Sequence, residues 1–245
     1  MRYLILSDIH SNLEALERSL ELARGKYETV VCLGDIVGYG PDPRAAIDVV
    51  KQTAHALIRG NHDKACCGIT DAEDFNPVAR AAVLWTRKAI TSEHCFFLRQ
   101  LAAGPLSVAD FEVVHGSEQD EDEYILGSAE AIPALKSQTA PLVFFGHTHC
   151  QGGFSLSDSG AFQPFQGYAG QDGAVSLEPG RRYLINPGSV GQPRDHDWRA
   201  AFAIYDDQAR HVEFYRTAYD LPTTQKKMQQ AALPEPLIHR LEIGR

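Results

Sequence analysis

Five places in this 245-residue chain set metal-binding or proton-transferring side chains directly after a short apolar run. Asp8-Ile9-His10 follows the first run, Gly34-Asp35 the second and Gly60-Asn61-His62-Asp63 the third. His115-Gly116 ends a fourth run and Gly146-His147-Thr148-His149 a fifth. Taken singly, most of these strings are ordinary turns; their recurrence at five run ends carries the reading. Imidazoles, carboxylates and an amide carbonyl form a mixed nitrogen and oxygen donor set. Such a set suits Mn²⁺, Fe, Zn²⁺ or Ni²⁺ and is too rich in nitrogen for a Ca²⁺ or Mg²⁺ cage. The chemistry it implies is a dinuclear centre, whose ions, roughly 3.5–4 Å apart, need a shared ligand such as a carboxylate. His62 stands apart, because Asn61 already offers a donor from the same turn and leaves the imidazole for proton transfer.

The elements that must position these residues follow from periodicity. Arg2 to Ser7, Thr29 to Leu33 and Ala54 to Arg59 read as buried strands. Between them lie a helix capped by Ser11, with Leu13, Leu16, Leu20 and Leu22 as its apolar face, and a helix over Asp42 to Gln52 opened by Pro43. That β-α-β-α-β order implies parallel strands with helical crossovers, whose carboxyl ends are where such sheets hold ligands. Helices are expected at Asn76 to Ile90 and Thr91 to Leu101, and strands at Phe111 to His115 and Leu142 to Phe145. Beyond Cys150, Ala161 to Gln166, Arg182 to Ile185, Ala201 to Asp206 and Arg210 to Thr217 read as strands. Pro222 to Ala232 and Glu235 to Leu241 close the chain as helices. With no repeat and no linker composition, residues 1–245 are expected to form one α/β domain of two packed sheets with outer helices.

Composition narrows the class. The net charge of −9 disfavours a surface that grips long nucleic acid, yet a local metal charge still attracts a small phosphorylated substrate. Five cysteines without a Cys-x-x-Cys pair indicate neither a disulfide framework nor a thiolate metal site. No apolar stretch approaches the roughly 20 residues of a membrane span, and Asp8 ends the first apolar run too early for a secretion signal. A cytoplasmic protein without a membrane partner is expected.

In their order and spacing the five strings resemble the calcineurin-like metallophosphoesterase superfamily, whose pattern runs D-x-H, G-D, G-N-H-[DE], H and G-H-x-H. The resemblance spans residues 8 to 149 with every signature position intact. It implies a β-sandwich flanked by helices. It also implies that Asp8, His10, Asp35 and His149 hold one metal, that Asp35 bridges, and that Asn61, His115 and His147 complete the second. Mn²⁺ is the ion expected first. His62 would protonate the leaving oxygen or neutralise the transition state, and a metal-bridging hydroxide would attack phosphorus.

Two departures narrow the branch. Phosphoprotein phosphatases and symmetric diadenosine tetraphosphate hydrolases are similar to one another in a G-D-x-V-D-R-G string, whereas this chain reads Gly34-Asp35-Ile36-Val37-Gly38-Tyr39-Gly40. The chain instead resembles the small bacterial and archaeal phosphodiesterase-like group, which shares the string Asn186 to Asp195. Arg194 in that string is a candidate phosphate contact. A phosphodiesterase is therefore expected, ahead of a phosphomonoesterase or nucleotidase and an asymmetric dinucleotide polyphosphate hydrolase. A catalytically silent scaffold of the same fold is the non-enzyme alternative. The acidic run Glu118 to Glu123 is expected to be a solvated loop, which would repel polyphosphates if it lined the pocket. Cys66 and Cys67 read as loop or core thiols before any place near the metals. Phe162, Phe165 and Tyr168 read as packing residues before any base-stacking role. Asp63 either orients His62 or lies on the surface.

Overall fold

The computed structural model describes residues 1–167 and 173–245. Strand β1 (Arg2–Leu6), helix α1 (Leu13–Ala23), strand β2 (Thr29–Cys32), helix α2 (Pro43–Thr53) and strand β3 (Ala56–Leu57) form the expected alternating unit. β1 and β2 run parallel with Tyr3 opposite Thr29, and β2 and β3 run parallel with Val31 opposite Ala56. β3 is shorter than its apolar run, although the Ile58 amide still donates to the Cys32 carbonyl at 3.2 Å and Ile58 also bridges Ala102. Asn12, not Ser11, caps α1 by accepting from the Ala15 amide at 3.2 Å. The buried face of α1 is also shifted, to Ala15, Leu16, Ser19 and Ala23, and Leu13, Leu20 and Leu22 are only partly covered. Ser19 lies inside by donating its hydroxyl to the Ala15 carbonyl.

A short helix α3 (Asn61–Cys66) then begins directly on the third chemical string. Helices α4 (Pro77–Ala89), capped by Asn76, and α5 (Ser92–Gln100), capped by Thr91, lie where helices are expected. Strands β4 (Leu106–Val108) and β5 (Phe111–Val113), helix α6 (Ser128–Ser137) and strand β6 (Leu142–Phe144) follow. The remainder comprises β7 (Gly152–Ser157), β8 (Phe162–Gln166), β9 (Ala174–Ser176), β10 (Arg181–Asn186), β11 (Ala200–Asp206), β12 (His211–Thr217), α7 (Leu221–Gln230) and α8 (Glu235–Ile243).

Two mixed six-stranded sheets result, ordered β3-β2-β1-β11-β12-β9 and β4-β5-β6-β10-β7-β8. Tyr3, Ile5, Val31, Phe111, Val113, Phe144, Ile185 and Tyr205 fill the space between them. Leu4, Leu6, Val30 and Cys32 point the other way, into a core shared with α1 and α2. Both faces of β1 and β2 are thus covered, which is why their sequences are continuously apolar instead of alternating. α6 covers the outer face of the second sheet through Ala131 and Leu135 against Val143 and Phe145. Parallel β1 and β2 in one sheet, and parallel β5 and β6 in the other, send their carboxyl ends toward a common edge. Among the described residues no helix is long and apolar enough to cross a membrane.

Candidate metal centre

The loops leaving β1, β2, β5 and β6 make sharp turns that are bonded to one another. The Asp8 amide donates to the Gly34 carbonyl at 3.1 Å, the His10 amide to Asp35 at 2.9 Å and the Gly146 amide to His115 at 2.9 Å. Asp8, His10, Asp35, His147 and His149 all have φ between 49° and 65°. Residues with a Cβ adopt that region at a cost of about 1–3 kcal/mol each, and its clustering points to a functional demand on the backbone. Gly60 and Gly146 permit the close approach. A Cβ on Gly60 would fall 2.1 Å from Asp35 Oδ1, and one on Gly146 would fall 2.3 Å from Ser7 Oγ. Gly60→Ala should therefore push the Asp35 carboxylate aside, destabilising the fold by about 1–3 kcal/mol and lowering metal content. Denaturant unfolding and elemental analysis check this; wild-type values in both would contradict the geometry.

Two donor groups meet at this edge. Asp8, His10, Asp35 and His149 offer atoms within 4.8 Å of one another, and so do Asp35, His115 and His147. Asp35 belongs to both. Its Oδ1 accepts from the His62 amide at 2.8 Å. Its Oδ2 lies 3.5 Å from His10 Nε2 on one side and 3.5 Å from His115 Nε2 on the other. His149 Nε2 is 3.4 Å from Asp8 Oδ1 and 3.1 Å from His10 Nε2. Asn61 Oδ1 joins the second group, 3.3 Å from His115 Nε2. All seven residues expected as ligands are therefore together, and His62 belongs to neither donor group.

Their protonation suits a cation. Nδ1 of His10, His115 and His149 faces the carbonyl of Val37, Leu33 and Gln192 at 3.0, 2.8 and 2.6 Å. Donation to those carbonyls keeps the proton on Nδ1 and turns the Nε2 lone pair inward. Asp8 Oδ2, Asp35 Oδ2 and His147 Nε2 are buried without any hydrogen-bond partner. Three such atoms in one place are costly in a protein interior unless something else satisfies them. Burial pushes Asp8 up to about 6, although His115 opposes the shift. Burial would lower His115 too, but the Asp35 carboxylate lifts it to about 10. Two carboxylates among imidazoles thus call for positive charge, and divalent ions meet that demand with the rings neutral.

Next to the donors lies a cleft of about 300 Å³ lined by Asn61, His62, His147, Phe75, Tyr39 and Tyr124, with Asp71, Asp74 and Asp122 also on its wall. The His62 ring is wedged edge-on against His10 at 4.9 Å, and it also contacts Tyr39 at 4.3 Å and Phe75 at 4.9 Å between centroids. Burial lowers His62 to about 4. Tyr124 packs its ring on His147 at 3.7 Å. Tyr39 and Tyr124 carry no sequence signal for this role, because each acts by ring contact with histidines distant along the chain. The Asn186 to Asp195 string cradles the site from outside. Asn186 Nδ2 donates to the Gly146 carbonyl at 2.8 Å, and Ser189 Oγ to the Asp8 carbonyl at 2.8 Å. Arg194 lies on Tyr39, its guanidinium 5.8 Å from the ring centroid.

Several expectations change. Asp63 neither touches His62 nor lies on the surface. It is buried, accepting from the Val37 amide at 3.1 Å and the Gly60 amide at 3.0 Å, and so locks the turn that carries Asn61. The acidic run is not simply a solvated loop: Lys64 Nζ contacts Glu121 at 2.9 Å and Asp122 at 2.7 Å, and Arg59 pairs with Glu121 at 3.1 Å. The two basic residues flanking the Gly-Asn-His-Asp turn thereby tie it to the loop after His115 and offset part of that loop's charge. Cys66 and Cys67 are buried core thiols. Phe162 stacks on Phe154 at 5.9 Å, and Phe165 packs against the inter-sheet core; Tyr168 lies outside the described residues.

Comparison with known proteins decides the family, since the calcineurin-like phosphoesterase superfamily domain matches residues 1–209. The chain belongs to this superfamily. The superfamily fold accounts for the two sheets and flanking helices. A metallophosphoesterase from Sphaerobacter thermophilus shares 40% identity, covering 100% of this chain and 99% of that one, with a TM-score of 0.87. An uncharacterised protein of Methanocaldococcus jannaschii is 33% identical over 250 residues, or 98% of this chain and 97% of the relative. A hypothetical protein from Pyrococcus horikoshii has the same fold at 21% identity, with a TM-score of 0.77 over 100% of this chain and 98% of that one.

Proposed function

We propose that this calcineurin-like phosphoesterase hydrolyses small phosphodiesters at a dinuclear metal centre. The observation that carries the reading is Asp35 Oδ2, one unpartnered oxygen standing between the two donor groups. Asp8, His10, Asp35 and His149 would hold one ion, and Asp35, Asn61, His115 and His147 the other, with Mn²⁺ first and Fe, Zn²⁺ or Ni²⁺ as alternatives. When bound, the ions supply Lewis acidity toward the phosphoryl oxygens and a water acidified toward neutrality.

The chain's own residues complete the reaction. His62 lines the cleft beside His147 and Asn61, with its imidazole edge-on to Phe75 and tilted against Tyr39. Negative charge developing on the leaving oxygen favours the protonated ring, so His62 is placed to deliver a hydrogen bond and then a proton there. The walls select for size and charge. Asp71 and Asp74 add negative charge, and the net charge of −9 repels long polyanions, whose affinity rests on many phosphate contacts. A single phosphate diester between small groups meets the cationic base of the cleft without that repulsion. The test is kcat/KM at fixed Mn²⁺ and salt for an aryl phosphodiester, a phosphomonoester, a dinucleotide tetraphosphate and a phosphopeptide. The diester should lead. A monoester or phosphopeptide ahead by about tenfold, near 1.4 kcal/mol in transition-state binding, would overturn the ranking.

A further inference from the structure

Beside the centre lie two cations with no ion-pair partner among the described residues. Arg194 Nη2 donates to the Tyr39 hydroxyl at 3.4 Å and to Gln192 Oε1 at 3.2 Å. Both partners are uncharged. Its Nε is sealed from solvent and has no acceptor. Arg240 on α8 donates Nη1 to the same Gln192 Oε1 at 3.4 Å. Among the described residues no carboxylate forms an ion pair with either arginine. Two guanidinium groups sharing one amide oxygen repel each other, and a covered charge without a partner is costly. A bound anion removes both costs. The charge of Arg194 also reaches the centre, acting on Asp8, His10, His62, His147 and His149.

We infer that Arg194 donates to a non-bridging oxygen of the phosphoryl group under attack, and that Arg240 and Tyr39 are positioning residues acting through it. This rests on the phosphoesterase reading above. The ligand is a tetrahedral oxyanion, whether an ester phosphate or the phosphate product. The unsatisfied Nε is a donor held in a plane set by the Nη2 bonds to Tyr39 and Gln192, an orientation that a lysine point charge would not keep. Fixed donors of this kind stabilise the transition state most where charge grows on the oxygens, and no reorganisation is needed at that moment. Arg194 keeps its proton throughout and only donates hydrogen bonds. Arg240 lies beyond residue 209, where the superfamily match ends, so its part in the site belongs to the C-terminal helix of this chain.

The experiment uses the metal-loaded protein with bis(4-nitrophenyl) phosphate as substrate and orthovanadate and inorganic phosphate as inhibitors. Arg194→Gln should lower kcat/KM on the order of 10²–10³-fold, mainly in kcat, and weaken orthovanadate inhibition in parallel, with metal content unchanged. Arg194→Lys should recover little of the loss. Guanidinium ion added to Arg194→Ala should restore part of the rate. Arg240→Gln should cost about tenfold in kcat, and Arg240→Lys should recover part of that, because charge rather than packing is at stake. If Arg194→Gln loses its cooperative melt, Arg194→Lys carries the same test. An active wild type whose Arg194 variants stay within about threefold in kcat/KM and orthovanadate affinity would overturn the inference and leave the phosphoesterase reading intact. A wild type that hydrolyses no phosphate ester would overturn that reading instead. Calorimetric phosphate binding then decides the anion site: dependence on Arg194 supports it, and independence sinks it.

Discussion

Asp35→Asn should strip both metal positions in a single substitution. The carboxylate is the one donor common to the two groups, and its Oδ2 stands 3.5 Å from an imidazole of each. An amide cannot bridge with one oxygen while its other atom accepts from the His62 amide, since that other atom is now an NH₂ donor. The lost charge matters as much, because the centre otherwise has only Asp8 to balance two divalent ions. Activity should fall by about 10⁴-fold or more, the scale on which removing a catalytic metal is felt. The fold should survive: the carboxylate sits at a sheet edge, and the inter-sheet core does not depend on it. Metal analysis beside a thermal melt is the check. A variant that keeps full metal and more than a tenth of the wild-type rate would show that Asp35 does not bridge.

His62→Ala should give the opposite pattern, with normal metal content and turnover lower by about 10²–10⁴-fold. His62 lies in neither donor group, although its ring meets that of His10. Removing it takes away a proton donor and leaves space between Tyr39 and Phe75 without disturbing a ligand. Leaving-group dependence sharpens the test. Esters with acidic alcohols need little protonation, so the variant's deficit should shrink as leaving-group pKa falls. A loss that is equal across leaving groups would assign His62 to charge neutralisation, and an emptied metal site would make it a ligand.

The contrast between these variants also explains what could be read in the sequence. Every expected ligand lay in a short string at the end of an apolar run, because parallel strands deliver ligands from their carboxyl ends and each needs only local chain to do so. The Gly-Asn-His-Asp string looked like a turn, and it is in fact the first turn of α3. That helix is six residues long, too short to show a period. α6 was hidden by Pro133 within it, and β9 by being a three-residue edge strand with mostly exposed side chains. Tyr39, Gln192 and Tyr124 were invisible for a different reason. Tyr39 and Tyr124 meet histidine rings, and Gln192 meets Arg240 of α8, all distant along the chain, and no local pattern encodes such contacts. Asp63 is ambiguous in sequence because the two backbone amides it accepts from, those of Val37 and Gly60, belong to turns that only the fold brings together.

In the proposed function one cluster holds two ions through a shared carboxylate oxygen. Its most direct test is the stoichiometry of Mn²⁺ binding to chelator-stripped wild-type protein, followed by calorimetry and confirmed by elemental analysis after desalting. The expected result is close to two Mn²⁺ per chain, falling well below one in Asp35→Asn. Saturation at a single ion in the wild type, or two ions retained by Asp35→Asn, would contradict it.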